Sequence, residues 1–205
     1  MAIILRAKET AQAAAALRQG KLIVLPTDTV YGVAALAFDA AAVRRLYLVK
    51  QRPFSKAIPI LLADPTDLDK VVQAVPPLAQ ALIDQFWPGP LTIVLPKKQT
   101  LPDVLSPYDG VAVRIPDCDV ARAVIRQAGG AIAATSANLS GQPEALTAAE
   151  AVAYLGNQVA VVLDNGRSPG TVASTVIDCQ GETPVIVRPG PITANDLDFL
   201  RMPPA

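Results

Sequence analysis

The run Lys21-Leu22-Ile23-Val24-Leu25-Pro26-Thr27-Asp28-Thr29-Val30-Tyr31-Gly32 decides how this chain is read. The block ending at Leu25 is apolar and has the length of a buried strand, and Pro26 stops it. Two hydroxyls, a carboxylate and a phenol follow at the strand's end, where open-sheet proteins bind ligands. Pro, Thr, Asp and Gly also suit a plain turn, so local chemistry leaves both readings open. Working outward, Ala, Leu and Arg from about Thr10 to Arg18 read as a helix, with Gly20 as its stop. On the other side Gly32 to Ala37 reads as a strand. Ala40 to Lys50 then places Val43, Leu46 and Tyr47 at helical spacing, with Arg44 and Arg45 facing out.

The same alternation fills the rest of the chain. Strands are expected at Ile58–Leu62, Leu91–Leu95, Val111–Ile115, Ala131–Ala134, Val159–Leu163, Ala173–Asp178 and Val185–Arg188. Asp64-Pro65 and Pro76-Pro77 read as helix starts with proline in the first turn, the second leading to about Phe86. Asp119–Gln127 reads as a helix ended by Gly129-Gly130, and Thr147–Leu155 as one opened by a Thr147/Glu150 capping box. Pro102–Tyr108 and Asn165–Gly170 read as long loops. The alternation is not strict, and the later strands crowd together. The expected fold class is α/β: one domain over residues 1–205, a twisted mixed sheet with flanking helices.

Composition narrows the function. Of 205 residues, 51% are apolar, and 18 basic residues balance 18 acidic ones, which excludes a globally basic nucleic-acid-coating protein. Histidine is absent, which removes Ser-His-Asp triads, HExxH zinc sites and histidine bases together. Cys118 and Cys179 stand apart, without metal-ligand or disulfide spacing. No apolar run reaches the ~18 residues of a membrane span, and the N-terminus lacks the form of a secretory signal. A cytoplasmic location, away from any membrane, is the expectation.

Several residues can carry chemistry. No acid lies between Asp39 and Asp64, while Arg44, Arg45, Lys50, Arg52 and Lys56 do. Lys50, Arg52 and Lys56 on one loop can clamp a triphosphate, or can simply be solvated. Ser136 and Asn138 fall on one side of an extended segment, as donors to a ligand or as an Asx turn. Arg114 and Arg188 each sit in an otherwise apolar strand. A guanidinium there must find an anion, through a ligand or a structural salt bridge, or reach solvent. Neither GxxxxGK[ST] nor GxGxxG is present, so any nucleotide is held by scattered side chains. Phe86–Pro90 reads as a rigid turn with a core aromatic, because a stacking platform for bases needs several aromatics and only 4% of the chain is aromatic.

In chain order, PTDTVYG at 26–32, KQRP at 50–53, FWPGPL at 86–91, VAVRIP at 111–116, TSAN at 135–138 with Ser140-Gly141, STVID at 174–178 and VRPG at 187–190 resemble the YrdC/Sua5 family, the threonylcarbamoyl-AMP synthases. The likeness runs from about residue 10 to 195 and looks like the short form, without the C-terminal extension of the longer type. It departs from the family pattern at Val33–Ala37, where relatives carry a second glycine or a cysteine. It departs again at Ala57-Ile58-Pro59, where relatives carry Pro-Leu.

The resemblance implies a YrdC-like sheet around a concave, positively lined cavity. It also implies synthesis of threonylcarbamoyl-AMP from L-threonine, bicarbonate or CO2 and ATP, with Mg2+ as the nucleotide's companion and pyrophosphate released. The product would serve a downstream tRNA threonylcarbamoyltransferase complex, and weak tRNA binding fits the same setting. Carried over by motif, Thr29, Arg114 and Ser174 match threonine-binding positions. Arg52, Lys56, Ser136 and Arg188 match ATP-binding positions, joined by Lys50 and Asn138 of the KxR…SxN set. Lys50 and Arg52 are expected to stabilise charge, and no residue stands out as a covalent nucleophile. Leu61, Gly110, Ala134 and Glu144 match lining positions. The alternatives are an RNA-binding module of the same fold without catalysis, and a paralogue that activates another carbamate.

Overall fold

The computed structural model describes residues 2–170 and 172–201. The first half of the chain runs β1 (Ile3–Arg6), α1 (Thr10–Arg18), β2 (Ile23–Leu25), β3 (Gly32–Leu36), α2 (Ala40–Lys50), β4 (Ile60–Leu62), α3 (Pro77–Phe86) and β5 (Leu91–Pro96). The second half runs β6 (Gly110–Arg114), α4 (Asp119–Gln127), β7 (Ala131–Ser136), α5 (Ala148–Leu155), β8 (Val161–Asp164), β9 (Thr175–Asp178) and β10 (Val185–Arg188). Short 3-10 turns occupy Pro65–Lys70, Asp103–Leu105 and Asn195–Arg201. No helix among the described residues is long and apolar enough to cross a membrane.

Local chemistry sets these boundaries. The Asp39 carboxylate accepts from Ala42 N at 2.9 Å and opens α2, which closes where Gln51 turns left-handed at φ 52° ahead of Pro53. Asp64 does cap a helical start, in reciprocal bonds with the Asp67 backbone and side chain, but the segment it opens is a 3-10 turn. Only half of the Thr147/Glu150 box forms. Thr147 Oγ1 accepts from Glu150 N, whereas the Glu150 carboxylate reaches past it to Leu146 N. The strand expected from Ile58 begins at Ile60, and β7 runs on to Ser136. β1 is an added strand, paired in parallel with β8 more than 150 residues away.

The strands form one mixed sheet in the order β1-β8-β2-β3-β7-β4-β6-β5-β9-β10. Pairings β1/β8, β2/β8, β4/β6 and β5/β9 are parallel, and the other five are antiparallel. Both faces carry apolar packing. One core gathers Val24, Val33, Ile60, Ile93 and Val113 with the buried faces of α2, α3 and α5. The other gathers Ile23, Ala34, Leu61, Ile132 and Ala134 with α1 and α4.

Strand parity then positions the site, because successive side chains point to opposite faces. Gly32 shares a face with Ala34, and Ser136 shares that face with Ala134. Thr92 lies opposite in sense to its neighbours Leu91 and Ile93, and Arg114 to Val113. The side chains of Ser136, Thr92 and Arg114 therefore project from the α1/α4 face, where Gly32 presents none. Those two helices pack chiefly on β2, β3, β4, β7 and β8, which leaves this face open toward β6, β5 and β9.

Candidate functional site

The open stretch is a cleft of about 680 Å³ counted out to its mouth, within the size range of small-molecule sites. The residues lining it come from the turns after β2 and α2, from β3 to β7, from the loop between β7 and α5, from the segment before β9 and from the end of β10.

The Thr27–Thr29 turn realises both readings of its sequence at once. Thr27 does the turn's work: its hydroxyl donates to Val30 O at 2.6 Å and accepts from Thr29 N and Val30 N, each at 3.2 Å. Since that proton is spent, Thr29 is the donor in the 3.0 Å bond between the two hydroxyls. Thr29 Oγ1 in turn accepts from Arg114 Nη1 at 3.0 Å. Arg114 also donates through Nε to Gly89 O at 2.9 Å and through Nη2 to the Asp28 carboxylate. The structural salt bridge and the place in the cleft thus belong to the same arginine. Burial pushes the Arg114 pKa down while Asp28 opposes the shift. Two of its five N–H groups stay outside these bonds. Tyr31 turns the other way, its phenol donating to Gly166 O at 2.6 Å, and burial lifts its pKa to about 12.

Of the three cations of the basic loop, Arg52 alone lines the cleft. It is held by Nε to Lys56 O at 3.0 Å and Nη2 to Ala57 O at 2.8 Å. Lys56 is exposed and supplies only that carbonyl, one residue before the sequence departs from the family's Pro-Leu. Lys50 is 2% exposed and turns inward under the β7 turn. Its ammonium donates to Asn138 O and Asn138 Oδ1, both at 2.8 Å, and to Ser136 O. Burial, with Arg52 nearby, pushes its pKa down to about 8. Asn138 is buried, accepting from Ser136 Oγ at 2.7 Å and donating to Gln142 O. Ser136 itself lines the cleft, while Lys50 and Asn138 hold the turn from beneath.

On the far side, Arg188 donates twice to Ser174 O, at 2.7 and 3.1 Å, and once to Ser174 Oγ at 3.2 Å. Ser174 Oγ lies 2.7 Å from Thr92 Oγ1. The glycine of VRPG explains the rest of that motif, because a Cβ on Gly190 would meet Thr175 N at 2.4 Å and Ser174 C at 2.7 Å. The segment can lie on Ser174 only without a side chain there. Leu61, Ala134 and Glu144 line the cleft as expected. Gly110 does not: it starts β6, at the opposite end of the strand from Arg114, where a Cβ would strike Gln180 and Val94.

The cleft therefore collects the guanidinium groups of Arg52, Arg114 and Arg188 against the carboxylate of Glu144. Arg188 and Lys50 both feel the Glu144 charge. Sequence reasoning passed over Thr92, Thr135 and Pro59 in the lining, and Asp28 as the partner of Arg114. Among the described residues no cluster of His, Cys, Asp and Glu makes a metal cage. A lone carboxylate beside three arginines does fit a magnesium ion that arrives on a polyphosphate and keeps most of its water.

An α/β sheet with an open cleft paved by hydroxyls and guanidinium groups has the make-up of a site for a small, polar, anion-bearing ligand. Within that class, the chain belongs to the Sua5/YciO/YrdC family, whose profile, described as telomere recombination, matches residues 15–190. It is 42% identical over 196 residues to the threonylcarbamoyl-AMP synthase of Bacillus subtilis, spanning 93% of this chain and 56% of that protein. Its fold matches Pyrococcus abyssi Sua5 complexed with L-threonine at a TM-score of 0.93 and 36% identity, over 98% of this chain and 60% of the other. It matches Escherichia coli YciO at a TM-score of 0.86 and 25% identity, over 96% of this chain and 99% of the other. The chain thus spans under two thirds of the Bacillus and Pyrococcus proteins it resembles.

Proposed function

We propose that this chain makes threonylcarbamoyl-AMP and pyrophosphate from L-threonine, bicarbonate or CO2, and ATP. The observation that carries the reading is the meeting of Arg52, Arg114 and Arg188, set 62 and 74 residues apart, with Thr29, Ser136 and Ser174 in one cleft. The names of the relatives at 42% and 36% identity support it.

The chemistry needs alignment more than a nucleophilic side chain. The free N–H groups of Arg114 and the Ser174 hydroxyl suit the amino acid's carboxylate, which leaves its amine facing the nucleotide. The amine attacks CO2, forming an N–C bond and losing a proton to solvent. A carbamate oxygen then attacks the α-phosphorus, and the bond to the β-phosphate oxygen breaks to release pyrophosphate. Arg52, Arg188 and Ser136 surround the phosphates and oppose charge building on the leaving group, an electrostatic contribution that needs no reorganisation. Lys50 and Asn138 act as positioning residues that fix Ser136. Mg2+ carried in on the triphosphate would add further neutralisation, and Glu144 is the carboxylate in the cleft that would help hold it. Enclosure in the cleft limits loss of the carbamate to water. The product is suited to a downstream tRNA threonylcarbamoyltransferase complex.

The test is mass spectrometry of the product after mixing protein, ATP, Mg2+, L-threonine and bicarbonate, with pyrophosphate measured alongside. Release is expected to need both threonine and bicarbonate. ATP turnover indifferent to threonine would refute the reading.

A further inference from the structure

We propose that Thr92 reads the side-chain hydroxyl of the amino-acid substrate and so selects threonine over amino acids whose side chain lacks it. The inference rests on the synthase reading above and adds a residue to it.

It follows from counting protons among the hydroxyls that line the cleft. Thr27 has spent its proton on Val30 O, and its oxygen takes the Thr29 proton at 3.0 Å, with two longer backbone N–H contacts at 3.2 Å sharing the remaining lone pair. Thr29 donates to Thr27 and accepts from Arg114. Ser136 donates to Asn138 Oδ1 and lies near the Lys50 ammonium. Thr135 is only partly buried, so water can serve it. That leaves the pair formed by Thr92 and Ser174 at 2.7 Å.

Two hydroxyls hold two protons, and the bond between them uses one. Ser174 Oγ also receives Arg188 Nη2 at 3.2 Å. Either hydroxyl can donate in that bond; when a substrate carboxylate draws the Ser174 proton, Thr92 becomes the donor, both Ser174 lone pairs are filled, and Thr92 keeps its acceptor lone pairs. The pair then offers one donor and one acceptor side by side in a cleft. Thr92 is 2% exposed, so those lone pairs have little access to bulk water. The β5/β6 register, which pairs Ile93 with Val113, sets Thr92 across from Arg114. A carboxylate on Arg114 and Ser174 therefore brings the substrate's side chain to the acceptor on Thr92. An amino acid whose β-hydroxyl donates there satisfies the site. One that lacks the hydroxyl leaves a buried acceptor unpaired, the kind of mismatch that gives strong discrimination.

The experiment compares kcat/KM for L-threonine, L-2-aminobutyrate and L-serine in the wild type, Thr92→Val and Thr92→Ser. The wild type is expected to favour threonine over 2-aminobutyrate by about 100-fold or more, and Thr92→Val to shrink that ratio at least tenfold. Thr92→Ser should keep it, and the KM for ATP should hold in both variants. The threonine-to-serine ratio reads the substrate's methyl group and should stay put. An unchanged threonine-to-aminobutyrate ratio in Thr92→Val overturns the proposal. So does an equal fall in both ratios, which would mean a merely loosened cleft. Absence of threonine-dependent product in the wild type would instead strike the synthase reading itself.

Discussion

Replacing Lys50 by methionine tests the inward turn of the α2 terminus most directly. Methionine keeps the length and flexibility of the side chain and removes its charge. Two opposing magnitudes decide the outcome. A pKa of about 8 in place of 10.5 means that holding the ammonium costs the fold about 3 kcal/mol at neutral pH, at roughly 1.4 kcal/mol per unit. Against this, Ser136 O, Asn138 O and Asn138 Oδ1 would lose a charged donor. Each such bond is worth about 1.5–3 kcal/mol, so the net expectation for Lys50→Met is a loss of about 2–6 kcal/mol. Urea unfolding followed by circular dichroism reads this as a lower midpoint at unchanged slope. The pH dependence supplies a second reading with a definite sign. Between about pH 8 and 10.5 the unfolded chain holds the Lys50 proton that the folded chain has released, so stability from this group rises with pH across that window. Tyr31 and Cys179, both raised to about 12, act oppositely: each loses its stabilising contribution as pH climbs from its unfolded value through about 12. The wild-type curve therefore mixes the two signs, and only the difference between wild type and Lys50→Met isolates the lysine. That gap should widen from pH 8 to 10. A variant as stable as the wild type, or a gap that narrows with pH, refutes the argument that three neutral oxygens outweigh the burial of this charge.

Arg52→Ala should abolish adenylate formation while costing only about 1–2 kcal/mol, because the side chain's bonds go to two carbonyls of its own loop; normal turnover would remove Arg52 from the phosphate site. Asp28→Ala leaves Arg114 buried without its carboxylate and should cost about 3–5 kcal/mol, with Asp28→Asn closer to wild type in stability and raised in threonine KM. Gly190→Ala forces a Cβ against the Ser174–Thr175 backbone. A loss of about 1–3 kcal/mol is expected, with threonine KM raised more than ATP KM.

What the sequence disclosed was local, and what it concealed was long-range. Helices α1, α2 and α4 lie where their spacing and end signals place them, because caps, glycines and apolar periodicity act within a turn or two. β1 escaped notice since Ile3, Ile4 and Arg6 are exposed and show no alternation to read. It is a strand because β8 offers it a parallel partner. In sequence Lys50 reads as one of three loop cations that clamp a phosphate or stay solvated, and its neighbours contain nothing that turns it inward. Its oxygens come from Ser136 and Asn138, over 80 residues later.

Thr92 shows the same limit in the site itself. A threonine within Leu91-Thr92-Ile93-Val94-Leu95 is what a strand tolerates anywhere, since β-branched residues fit the pleat. Its hydroxyl acquires a role only because β9 lies parallel to β5, matching Thr92 with Val176, so that Ser174, two residues before Val176 on the same side of the strand, comes within 2.7 Å of it. Arg188 then closes over Ser174 from β10, whose antiparallel register carries a bulge between Ile186 and Arg188. The motifs STVID and VRPG, remote from FWPGPL in the chain, thus form with it a single donor-and-acceptor surface. The order of strands β5-β9-β10 makes that surface, and no window of sequence contains it.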